Sequence, residues 1–285
     1  MGTYKKTLLK DLTPEIENTS RLWYAVFAGF LIVFAIGIYG LVQQIDKGHI
    51  VTGMRDNVVW GVYIVNFIFF MGLSYAGALI SGVLHLFRSS WRAPIIRMAE
   101  MLTVISLVIG PFFIFFCIGR LDRLPFLFIH PRIQSPITWD VVAIITDLVG
   151  CFTFLYLSLI EDFAILRDHA DLKVAPWKKK LYSILALGYT GSEKQYRILK
   201  RAKDIMAAMI IAIAIIVYSV LAWIFGVTLQ PGWHSTIFGP YFVIAAVFSG
   251  TGLLIVLMWI FRKIYKLEKY ITKKHLSTSA FCCWL

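Results

Sequence analysis

From Ile205 to Phe261 the chain carries no charged residue, and the run is broken only by the polar stretch Gln-Pro-Gly-Trp-His-Ser-Thr at 230–236. Each half exceeds the roughly 20 apolar residues that a helix needs to cross hydrocarbon. Two such helices joined by so short a connection must pack antiparallel. Polar side chains are costly inside a bilayer, so those that occur there point to function.

The rest of the chain agrees with a membrane protein. Hydrophobic residues make up 59% of it and the mean hydropathy is +0.76, far from a soluble domain. Six spans are predicted, at about 22–45, 58–87, 98–118, 139–160, 205–229 and 237–261. The expected fold class is an all-α polytopic membrane bundle over 21–262, with an N-terminal segment at 1–20 and a tail at 263–285. The first span follows about twenty polar residues and is too long for a signal-peptide core, so it reads as a retained helix. No internal repeat or low-complexity tract is visible.

The net charge of +12 is unevenly spread. All but five of the 28 Lys and Arg lie on the side shared by the N-terminus, the 88–97 and 161–204 connections and the tail; the five are Lys47, Arg55, Arg120, Arg123 and Arg132. Positive residues stay on the cytoplasmic side, which puts both termini there in a bacterial inner (cytoplasmic) membrane. The run Lys178-Lys179-Lys180 is explained by topology and by lipid headgroup contact, and no nucleic-acid partner is expected.

Several chemistries lack their residues. The four cysteines form neither a disulfide framework nor a zinc spacing. Of the six histidines only His85 falls within a span, near its cytoplasmic end, so paired ligands for a b-type heme are missing. Neither heme nor an iron–sulfur cluster is expected on this chain. P-loop, GxGxxG, HExxH and GxSxG motifs are absent.

The polar residues inside the spans fall into stripes. In the second span Gly72/Ala76 and Gly77/Ser81 are small-xxx-small pairs suited to close helix approach, while Asn66 and Tyr75 are candidates to line a cavity. In the third, Glu100, Thr103, Ser106, Gly110 and Cys117 recur on one face, and Pro111 predicts a kink. Glu100 suits an ion pair with Arg97 as well as it suits proton entry. In the fourth, Asp140, Asp147, Cys151 and Ser158 form one stripe. Asp140 lies near a helix start, where the macrodipole favours a carboxylate and Thr138 is a candidate cap. Asp147 lies about 10 Å deeper by helical rise, so it is expected to face the bundle interior. Arg120, Arg123, His130 and several aromatics occupy the outer loop beside Asp140. A quinol needs an apolar slot, a proton acceptor and a donor at its opposite oxygen, and residues of those types meet here. Outer loops also carry Arg and aromatics as interface anchors.

A resemblance then enters. Asn66-Phe67, Ala76-Gly77-Ala78-Leu79-Ile80-Ser81, Phe87-Arg88, Trp91-Arg92, Arg97, Ala99-Glu100, Ile118-Gly119-Arg120, Ser135-Pro136 and Trp139-Asp140 resemble the NrfD/PsrC family of integral membrane subunits. Ile184-Leu185-Ala186-Leu187-Gly188, Pro231-Gly232-Trp233-His234-Ser235-Thr236-Ile237-Phe238, Pro240-Tyr241-Phe242 and Phe248-Ser249-Gly250 look like its ActC branch, from alternative complex III. The likeness runs from about Trp23 to Leu276.

The resemblance implies a subunit that binds menaquinone or ubiquinone, as the quinol, near the periplasmic face. Electrons would pass to an iron–sulfur or molybdopterin-type peripheral subunit and on to a multiheme cytochrome c or another acceptor, with further membrane subunits alongside. It makes Asp140 the quinol ligand and places a histidine where this chain has Cys117. ActC-like subunits continue for several more helices, so a C-terminally shortened form is expected. The site expected from residues and resemblance together has Asp140 as proton acceptor, Arg120 and Arg123 orienting, and His130 or Cys117 at the second oxygen. Asp147 and Glu100 complete a proton relay. A non-catalytic membrane anchor for a peripheral redox subunit is the alternative. A small-solute or ion transporter is a further one, which the lack of an inverted repeat disfavours.

Overall fold

The computed structural model describes residues 20–55, 58, 60–88, 92–117, 121–168, 175–229, 234–273 and 275–277. Six of its helices are long and apolar enough to cross a membrane. Among the described residues there is no strand, only an isolated bridge between Arg55 and Val58. The chain divides into two compact units, Met1–Val59 with Leu159–Ser192, and Trp60–Ser158 with Glu193–Leu285.

In the first unit, helix α1 spans Arg21–Lys47. Ser20 caps it: the hydroxyl accepts a hydrogen bond from the Trp23 N–H at 3.2 Å, satisfying one of the donors a helix start leaves open. Gly48, at φ 73°, ends it in a conformation that favours glycine. A 3₁₀ turn at Gly48–Thr52 follows, held by the Thr52 hydroxyl donating to the His49 carbonyl at 2.7 Å. The amphipathic helix at Pro176–Leu185 packs Tyr182 on Phe163, with ring centroids 6.2 Å apart.

The second unit is built around α2, Gly61–Leu86. Helices α3 (Ala93–Cys117), α7 (Glu193–Gly226) and α8 (Phe238–Ile264) pack against it. The short helix α4 is Phe126–Ile129, α5 is Pro136–Asp168 and α6 is the amphipathic helix already described. Phe67, Met71, Leu107, Ile210, Leu254 and Met258 are fully buried at the centre. Val149, Ile216, Trp223 and Phe248 stand outward and exposed, the arrangement expected of a protein whose outer faces meet lipid.

Two glycines set the helix spacing. A side chain at Gly77 would come within 2.8 Å of the Ala99 carbonyl, and one at Gly250 would collide with the Ala76 methyl. Small residues thus bring α2 against α3 and against α8. Gly77→Leu is expected to destabilise the bundle by about 1–3 kcal/mol, the usual cost of overpacking. A lowered unfolding midpoint in detergent would show it. Gly29, with nothing within 4 Å, should accept the same change without a shift.

Several helices run past the apolar spans. Helix α7 starts at Glu193 and α5 continues to Asp168, because charged residues end a hydrophobic run without ending a helix. Helix α5 begins at Pro136, well suited to a first helical position, so Thr138 lies inside the helix and does not cap it. Helix α3 passes through Pro111 without a break.

Candidate functional site

The stripe along α5 turns fully inward. Asp140 is 9% exposed and Asp147 only 1%, and Cys151 and Ser158 are equally buried. Facing it, α3 buries Glu100, Thr103 and Ser106. The two helices meet at one end of the unit, where the Ser158 hydroxyl donates to Glu100 Oε1 at 2.9 Å. Arg97 Nη1 donates to Glu100 Oε2 at 3.3 Å, and its Nη2 reaches the Ser158 carbonyl. Glu100 is therefore a carboxylate tied by an arginine on one oxygen and a hydroxyl on the other. Of the two readings for Glu100, the ion pair with Arg97 is formed.

A second buried pair lies deeper. Cys151 donates through its thiol to Asp147 Oδ1 at 3.3 Å, one helical turn apart. In the same unit the Tyr218 hydroxyl, fully buried, accepts from the Tyr75 N–H at 3.0 Å. The Tyr75 and Tyr218 rings overlap with centroids 4.1 Å apart. Beside Glu100 is a small crevice of about 10 Å³, room for about one water, whose walls include Ser81, Glu100, Thr103, Cys151 and Phe154. It touches Glu100 at one end and Asp147's partner, Cys151, at the other.

Asp140 sits apart from both. Its Oδ1 is buried with no hydrogen-bond partner among the described residues, a state that costs about 1–3 kcal/mol for a buried acceptor. From Ser158 back to Asp140, and from Glu100 forward to Cys117, the helical rise is about 26 Å in each case, so Asp140 and Cys117 lie at matched depth. The Cys117 thiol is half-buried and points at the Trp60 carbonyl, 3.8 Å away. Aromatics gather at this end, with Trp60 against Phe225 at 6.0 Å and Phe225 against Phe238 at 6.1 Å.

The loop residues are arranged differently. Arg123 ends a 3₁₀ turn at Leu121–Arg123 and is exposed; His130 follows α4, exposed, with its ring 6.1 Å from Phe126. Neither bonds Asp140. Arg120 lies outside the described residues. Asn66 is half-buried.

Sequence reading passed over Tyr218, although it is the single tyrosine of the charge-free span between 205 and 229. It also passed over Asp204, which bonds His85 at 3.0 Å. Its one signal is an aspartate immediately before the apolar run begins.

The profile of the family described as polysulphide reductase, NrfD, matches residues 50–278. A Halobacterium salinarum protein, named provisionally as a membrane subunit of a dimethyl sulfoxide reductase, is 28% identical over 253 residues. That match covers 88% of this chain and 54% of the relative. A selenate reductase subunit from Mesobacillus selenatarsenatis is 23% identical over 249 residues, covering 83% of this chain and 56% of the relative. The chain thus spans about half the length of the curated relatives it matches.

Proposed function

Because this multi-pass membrane chain belongs to the polysulphide reductase NrfD family, we propose that it is the quinone-interacting membrane subunit of a respiratory oxidoreductase complex. The observation that carries this reading is the Asp140 carboxylate, which presents a buried Oδ1 without a hydrogen-bond partner among the described residues, at the aromatic-rich end of the bundle. An orphaned acceptor in an apolar setting fits a ligand that donates a hydroxyl. Two relatives named as subunits of a dimethyl sulfoxide reductase and a selenate reductase support membership in a reductase complex; quinol as the electron donor and a peripheral subunit with iron–sulfur or molybdopterin chemistry as the recipient complete the proposal. A multiheme cytochrome partner, as in alternative complex III, belongs to the same proposal.

Bound quinol would supply electrons to the partner and protons to this chain. The chain's own part is proton handling. Asp140 Oδ1 accepts a hydroxyl hydrogen bond and then the proton, as a general base within reach of the donor. Cys117, at the same depth, is the candidate contact for the second oxygen, and Arg120, Arg123 and His130, in the connection between α3 and α5, remain candidates to orient or polarise the ligand. Asp147, bonded to Cys151, and Glu100, bonded to Ser158, then form a relay, supported by the small crevice that touches both Glu100 and Cys151. The uneven Lys and Arg distribution supports a periplasmic Asp140 end and a cytoplasmic Glu100 end.

Saturable binding of a quinone analogue by the purified complex tests the reading. A chain that merely anchors a peripheral subunit binds none.

A further inference from the structure

One titratable cluster in the second unit takes no part in the site above. At the Glu100 end, His85 in the last turn of α2 meets Asp204 of α7, with Nε2 3.0 Å from Oδ1. Arg88 Nη2 stands 3.5 Å from the other Asp204 oxygen, and Arg92 Nη1 donates to the His85 carbonyl at 2.8 Å. Lys203 acts electrostatically on both His85 and Glu100. The Asp204 side chain is 33% exposed and that of His85 12%, so the pair runs from solvent inward.

What lies inward of the pair is the crevice. The His85 ring packs edge-on against Phe154, with centroids 5.9 Å apart, and Phe154 is a wall of the crevice that holds Glu100. Ser81, another wall, is one helical turn before His85 and therefore on the same face of α2. An imidazole paired with a carboxylate that is one third exposed, one ring away from the small crevice that holds a buried glutamate, has the layout of a proton-exchange group.

We propose that His85, held by Asp204, is the port through which protons pass between the solvent at the Arg88 end and Glu100. The role rests on the relay reading of Glu100. A proton taken from water by the imidazole is released into the crevice to the Glu100 carboxylate, and the ring returns to its neutral form. Asp204 is a positioning residue: it fixes the ring and balances the imidazolium against Arg88, Arg92 and Lys203.

The test uses the complex in oriented liposomes without quinone, so failure of the quinone reading leaves it interpretable. A caged proton released on the Arg88 side starts the reaction. Protonation of Glu100 is followed by its infrared carboxyl stretch, assigned by its loss in Glu100→Gln. His85→Gln is expected to slow the signal by about 10²-fold, the lower range for a positioned acid–base group, and added imidazole should restore it. Asp204→Asn keeps a hydrogen-bonding partner between α2 and α7, and should slow the signal with the unfolding midpoint unchanged. A wild-type rate in His85→Gln overturns the proposal. So does a slowed rate that imidazole fails to restore, which would make the pair only a clamp between α2 and α7.

Discussion

Replacing Asp140 by asparagine is expected to lower quinol-dependent turnover of the assembled complex by about 10²–10⁴-fold, the usual worth of general base catalysis. The amide keeps the size and shape of the carboxyl and leaves the start of α5 undisturbed, so assembly and membrane insertion should persist. What it loses is the basicity of a carboxylate whose Oδ1 is buried with no hydrogen-bond partner among the described residues, placed to take a proton from a ligand. Cys117→His, introduced alone, should raise turnover if the half-buried thiol at matched depth stands in for an imidazole donor. Normal turnover in Asp140→Asn would remove the base from the scheme and favour the anchor reading.

The second large effect belongs to Asp147. It is 1% exposed and accepts a hydrogen bond from the Cys151 thiol, a bond the asparagine carbonyl can still accept. Asp147→Asn should therefore fold and assemble, yet slow proton-coupled turnover by at least about 10²-fold, because an amide cannot carry the proton onward. Electron transfer from an artificial donor that releases no proton should continue. Proton uptake in liposomes, measured per electron transferred, separates the two. Asp147→Leu with unchanged turnover would reduce the residue to packing.

Much of this arrangement is legible in the sequence. The seven, four and seven residue steps of Asp140, Asp147, Cys151 and Ser158 specify one helical face, and that face is buried. Glu100, Thr103 and Ser106 follow the same logic on α3. The family resemblance was carried by motifs spread along the chain, and the family profile covers residues 50–278. What periodicity cannot supply is the register between helices. That Ser158 meets Glu100, that Tyr218 meets Tyr75, and that His85 meets Asp204, 119 residues away, depends on where contacts such as Gly77 on Ala99 and Gly250 on Ala76 stop the helices. Loop placement was equally out of reach. Residue types brought Arg123 and His130 toward Asp140, whereas they stand exposed on a 3₁₀ turn and past α4, and Arg120 lies outside the described residues.

The central claim is that this chain binds quinone at Asp140. Titrating a fluorescent quinone analogue into the purified complex, in parallel with its Asp140→Asn form, tests it most directly. The account predicts saturable binding to the wild type, displaced by added menaquinone or ubiquinone and clearly weakened by the substitution. Absence of saturable binding, or equal binding by the two forms, would contradict it.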